Sequence, residues 1–136
     1  MRGILVRLIA AFAMTTVTAS AADAPGKVFE MRTYYTAPGK MGDLHKRFRE
    51  HTCALFQKHG MELVGFWEPV DEKSGKGEKM VYILAYPSRE AAAASWKAFG
   101  ADPEWQKARE ASEKNGKIVT KVESVFLNSL DYSPIK

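Results

Sequence analysis

The sequence predicts an α+β fold: a ferredoxin-like βαββαβ order with an antiparallel sheet. Three observations predict it. Four extended runs and two helical stretches occur in that order along the chain. The middle two extended runs flank a polar, glycine-containing loop of hairpin character, Asp71 to Lys79 (DEKSGKGEK). The first run, helix and second run form a crossover unit, and together with the hairpin they give a split βαβ order.

The elements follow in turn. Lys27 to Tyr35 alternates and is rich in β-formers, so it reads as the first strand, ended by Ala37-Pro38-Gly39. Met41 to His59 places Leu44, Phe48 and Leu55 on one helical face, and Gly60 is a natural stop. Met61 to Val70 is the second strand and Met80 to Tyr86 the third, closed by Pro87. Ser88 caps a second helix with Ala91 at the fourth position, an incomplete capping box. Gly100 is expected to interrupt that helix. Asp102-Pro103-Glu104 restarts it, with the aspartate as cap and proline at the first helical position, and Asn115-Gly116 ends it. Lys117 to Leu127 is the fourth strand. No internal repeat and no low-complexity segment is present.

Alternation on the first strand puts Phe29, Met31, Thr33 and Tyr35 on one face and Val28, Glu30, Arg32 and Tyr34 on the other. Two helices cover only one face of a sheet. A partly apolar second face therefore calls for a partner sheet, and a homodimer is expected, joined through the face bearing Glu30, Arg32 and Tyr34.

The stretch VFEMRTYYTAPGKMGDLHKRFREHTCALFQKHGMELVGFWEPV, with the later VYILAYPSREAAAASW, resembles the NIPSNAP family. The resemblance spans nearly all of the chain after residue 27. It implies a dimeric α/β barrel built from ferredoxin-like subunits, and it implies no particular reaction. Glu30, Arg32 and Tyr34 match the family's E-x-R-x-Y pattern on the first strand. Asp102-Pro103-Glu104-Trp105 is similar to a D-P-x-W element of related monooxygenase-like barrels, where it starts a helix.

Residues 1–21 read as a secretory signal peptide. Arg2 and Arg7 give a basic start, LIAAFAMTTV an apolar core, and Ala19-Ser20-Ala21 a small-residue cleavage site. The apolar run is shorter than the roughly 20 residues a membrane span needs. Cleavage leaves residues 22–136 as one domain in a periplasmic or secreted setting, with no stable membrane span. Loss of Arg2 and Arg7 lowers the formal charge from +4 to +2. The remaining lysines are scattered, so no nucleic-acid partner is expected. Cys53 is the only cysteine, which excludes an intrachain disulfide. CxxC, CxxCH and HExxH are absent, so no metal site and no cofactor are expected.

His51 is the first candidate catalytic residue. At regular α-helical rotation it falls on the stripe of Leu44, Phe48 and Leu55 that packs against the sheet. An imidazole there is a base or ligand candidate, or else a hydrogen-bonded core histidine. Its expected neighbours are Tyr35 and Trp67. His45 and His59 edge the stripe, and His59 also suits a helix C-terminus. Cys53 falls on the side of the helix away from the stripe and reads as a passive thiol. Glu30, Arg32 and Tyr34 read as an interface ion-pair network or as the polar lining of a ligand cavity, with Tyr35 and Trp67 as further ligand-binding candidates. Trp67, Trp96, Trp105, Phe66, Tyr82, Tyr86 and Phe99 supply core bulk or an aromatic pocket.

Three functions compete. One is binding of a small hydrophobic or aromatic molecule in a helix–sheet or barrel pocket. Another is a cofactor-independent monooxygenase- or isomerase-like enzyme, which the superfamily resemblance makes reasonable; haem degradation with His51 as axial ligand is a narrower version. The third is a structural interaction protein. There is no nucleophile–base pair and no phosphate loop to decide among them. An open pocket between the first helix and the sheet favours a binder or enzyme; a solidly packed interface favours the structural role.

Overall fold

The computed structural model describes residues 26–136; residues 1–21, expected from sequence to be a signal peptide, lie outside them. The elements are β1 (Val28–Thr36), α1 (Met41–Arg47), a π-helical turn (Phe48–Thr52), α2 (Cys53–Lys58), β2 (Glu62–Trp67), β3 (Lys79–Tyr86), α3 (Arg89–Ala101), α4 (Pro103–Ser112) and β4 (Val119–Asn128). The strands pair antiparallel in the order β2-β3-β1-β4, the ferredoxin-like arrangement. Among the described residues no helix is long and apolar enough to cross a membrane.

Local chemistry sets the boundaries. Gly60, at φ +78°, ends the first helical unit in a Schellman motif: Met61 N donates to the Phe56 carbonyl and Gly60 N to that of Gln57. Phe56 and Met61 are both buried, giving the motif its apolar clasp. The Ser88 hydroxyl accepts from Ala91 N, capping α3. That helix runs through Gly100 to Ala101. It stops where Asp102 turns extended and accepts from Glu104 N, so the cap on the next helix, and not the glycine, makes the break.

All the helices lie on one face of the sheet. The register sets Glu30 beside Leu84, Arg32 beside Tyr82 and Ser124, and Tyr34 beside Met80 and Val122. Leu44, Phe48, Phe56, Met80, Tyr82, Leu84, Phe99 and Ile118 form the core between this face and the helices. Phe48 meets the rings of Tyr34, Phe56, Phe66 and Tyr82, mostly edge-on at 5.5–6.1 Å between centroids.

Glu30, Arg32 and Tyr34 therefore lie under the helices. The expected dimer contact through them is geometrically blocked, because their face is the one the protein's own core covers. The open face carries Phe29, Met31, Thr33 and Tyr35, with Val64, Val81, Ile83, Val125 and Leu127 on neighbouring strands. Val125 is 47 % exposed. Leu130, Tyr132 and Ile135 of the C-terminal tail border a cleft of about 420 Å³ on this face with Phe29, Val64 and Ile83.

Candidate functional site

Glu30 is 2 % exposed, and its carboxylate accepts four hydrogen bonds. Oε2 accepts from the Tyr86 hydroxyl at 2.7 Å and the Trp96 indole at 2.7 Å. Oε1 accepts from Ser124 Oγ at 2.6 Å and Arg32 Nη1 at 3.2 Å. The Arg32 guanidinium also stacks 3.9 Å above the Trp96 ring. Burial, then the bond to Glu30, pushes the Tyr86 hydroxyl far above its ordinary range. Tyr82 is raised mainly by burial. The centre is thus a buried network in which the Glu30 carboxylate is neutralised by Arg32 and both phenols are protonated, while Arg32 Nε and the Tyr82 hydroxyl are left without a hydrogen-bond partner. Tyr86, Trp96 and Ser124 were not singled out as its members by sequence. They come from β3, α3 and β4, so only the fold brings them together.

His51 points outward. Its side chain is 49 % exposed, with Glu50 Oε2 at 3.9 Å, and neither Tyr35 nor Trp67 is its neighbour. The reason is the π turn. Each of its residues advances the helix by less than an α-helical residue does, so the buried row passes from Phe48 to Thr52 and His51 swings aside. The groove beside His51, about 270 Å³, is walled by Asp43, Lys46, Glu50, Ser112 and Asn115. So small and polar a space does not fit a porphyrin, and His51 as a haem ligand does not suit this structure.

The cysteine after this turn and a different histidine before it, His45 of α1, border an open groove between the first helical unit and β2. Phe48, Cys53, Phe66, Trp67 and Met80 line about 410 Å³, with His45, Arg49 and Glu68 at the rim. His45 Nε2 lies 3.0 Å from Glu68 Oε2, while Glu68 Oε1 accepts from Gly77 N of the hairpin loop. Burial pushes the Cys53 thiol up, so it stays protonated. Trp67 is 52 % exposed, on the open side of an edge strand, and its ring lies over Gly65, where a Cβ would come within 2.5 Å of it. Tyr35 is elsewhere: on the open face it donates to Glu123 Oε2 at 3.0 Å. His59 is structural, its Nε2 lying 2.6 Å from Asp102 Oδ2.

Arg47 escaped the sequence reading. It is 4 % exposed, donates through Nη1 to Ser112 Oγ and Glu113 Oε1, and lies over the Trp105 ring. A signal was present: at three residues from Leu44 it falls on the edge of the same helical stripe. Among the described residues no group of three side chains is placed to hold a metal.

This architecture defines a small α+β domain of ferredoxin-like topology with an open groove at the β2 edge of its sheet. The sequence matches the NIPSNAP family over residues 29–134, and the chain belongs to that family. It is similar to an uncharacterized NIPSNAP domain protein from Burkholderia xenovorans, at 26% identity, TM-score 0.65, covering 79% of this chain and 98% of that one. A NIPSNAP family protein from Agrobacterium tumefaciens matches at 22% identity and TM-score 0.70, covering 82% and 100%. The fold extends to a putative antibiotic biosynthesis monooxygenase from Nitrosomonas europaea, at 13% identity, TM-score 0.54, covering 76% and 98%. No curated protein matches the sequence.

Proposed function

We propose that this NIPSNAP domain binds a small aromatic or hydrophobic molecule in the groove between the first helical unit and β2. The observation that carries the reading is the apolar lining of Phe48, Phe66, Trp67 and Met80 in a space of about 410 Å³. That volume is in the range of small-ligand sites, roughly 300–1,000 Å³. The interior under α3 is filled by Trp96, Tyr86 and Glu30, so Glu30 and Arg32 shape the domain and do not touch the ligand. The test is titration with 1-naphthol, followed by tryptophan fluorescence. Binding should weaken strongly in Trp67→Ala and be unchanged in His51→Ala. Equal affinity of Trp67→Ala and wild type would remove the groove as the site.

The His45–Glu68 pair favours an enzymatic version. Glu68 fixes the imidazole through Nε2, which leaves Nδ1 to accept a proton from a phenolic ligand at the rim. A phenolate so formed is the species on which cofactor-independent oxygenation begins. Oxygen uptake with a naphthol substrate, lost in His45→Ala while binding persists, would support it; no uptake in the wild type would reject it.

The domain acts as an exported homodimer in this proposal. The basic start, apolar core and Ala19-Ser20-Ala21 support export to the periplasm with cleavage after Ala21. N-terminal sequencing of protein from its native host checks this, and an intact Met1 would refute it. The apolar open face supports pairing with a second copy, sheet against sheet.

A further inference from the structure

We infer that a second site, at the opposite edge of the sheet, binds a small aromatic carboxylate. The cleft lies between β4 and α4, whereas the groove proposed above lies at β2. It encloses about 290 Å³, and its walls have two characters. Tyr34, Trp105, Val119 and Val122 form the apolar part, and Val122 is left 42 % exposed there. Arg47, Arg109 and Lys117 supply positive charge.

The charges are unevenly matched. Glu113 is the one carboxylate on the lining, and it is occupied: Arg47 Nη1 lies 3.3 Å from its Oε1, which also accepts from Ile118 N. Lys121 borders the cleft, but its ammonium is drawn to Glu123 on the open face. Arg109 and Lys117 form no ion pair among the described residues. Arg47 adds a second, independent pointer. It is nine-tenths buried at the cleft's base, yet its Nε has no hydrogen-bond partner, and Nη1 makes both of its side-chain bonds. Its charge is offset by Glu113 through Nη1 alone, so the guanidinium retains donor capacity for a further carboxylate. Its Cζ lies 5.2 Å from the Trp105 ring centroid, so cation and aromatic wall are adjacent. A flat ring between Tyr34, Trp105 and Val122, with its carboxylate toward Arg47, Arg109 and Lys117, matches both walls at once. An inorganic anion would leave the apolar wall unused.

The experiment is an NMR titration of the full-length protein with benzoate, benzyl alcohol and inorganic phosphate, observing the three tryptophan indole signals. Benzoate should shift the Trp105 signal saturably, with benzyl alcohol and phosphate each binding at least roughly tenfold more weakly. Arg109→Ala/Lys117→Ala should weaken benzoate on the order of tenfold or more; both residues are exposed, so the fold is not at risk. Trp105→Leu, checked for folding by its melting curve, should weaken benzoate and leave 1-naphthol binding at the β2 groove unchanged. Phosphate binding as tightly as benzoate would make this a general anion patch and overturn the proposal. Absent benzoate binding, or affinity unaltered in the double variant, would overturn it as well. Since 1-naphthol reports on the other groove, failure of either site is seen separately.

Discussion

Glu30 shows what one residue holds in this domain. Four donors from four other positions converge on its carboxylate, and none has another acceptor at the site. Glu30→Ala strands the Tyr86 hydroxyl, the Trp96 indole and the Arg32 guanidinium in a dry interior. Stability should fall by about 3–5 kcal/mol, read from denaturant unfolding of the variant against wild type; a loss below ~1 kcal/mol would show that water repairs the site. Arg32→Ala should destabilise the single subunit, since its partner is within the same chain. Gly65 makes the opposite case. A methyl group there meets only the far end of the exposed Trp67 ring. Gly65→Ala should shift the tryptophan emission and alter naphthol binding with little change in melting temperature. The Glu30-Arg32 pair was legible as residues that must be matched, because charges on a central strand demand it. Their partners were not, since Trp96 and Ser124 lie 66 and 94 positions away.

At the scale of elements, the π turn decides where His51 and Cys53 face. A helical wheel assumes constant rotation per residue, and that assumption fails over Phe48–Thr52. Leu44, before the turn, and Phe48, at its start, fall where the wheel puts them. His51 and Cys53, within and after it, do not. The helix break at Asp102 was legible, because an aspartate followed by proline caps a helix in any context. Asp102 also binds the end of α2 to the start of α4, accepting from Lys58 Nζ at 2.9 Å and His59 Nε2 at 2.6 Å as well as from Glu104 N. Those bonds, that of Lys58 foremost, hold its carboxyl far below the usual carboxylate range. A folded-state value below the unfolded one means stability that is present above the unfolded value, about 3.9, and lost as pH falls below it. Asp102→Asn should therefore lower the melting temperature at pH 7. The gap to wild type should close progressively below about pH 4. A gap that stays constant down to pH 2 would show that the cap geometry, and not the charge, carries the effect.

For the whole molecule, the proposed pairing with a second copy rests on the open sheet face. Met31, Val81 and Ile83 are half-buried on it and Val125 is exposed. Val125→Lys puts a charge on that surface without touching the core. Sedimentation should show a dimer for wild type at micromolar concentration and a monomer for the variant, while Arg32→Ala remains dimeric. A monomeric wild type would remove the pairing.

The order of elements, their caps and the need to cover two sheet faces follow from the sequence alone. Each depends on contacts within a few residues or on strict alternation: Ser88 with Ala91, Gly60 with Gln57, apolar residues at every second position of a strand. Which face the helices choose does not follow from alternation, because Val28, Glu30, Arg32 and Tyr34 are as polar a row as any. Tertiary packing chose that row, since Tyr86, Trp96 and Ser124 converge on Glu30 there. The grooves at β2 and β4 are likewise tertiary facts. Each is assembled from strands and helices distant in the chain, and one is framed by a helical turn whose extra residue no periodicity announces.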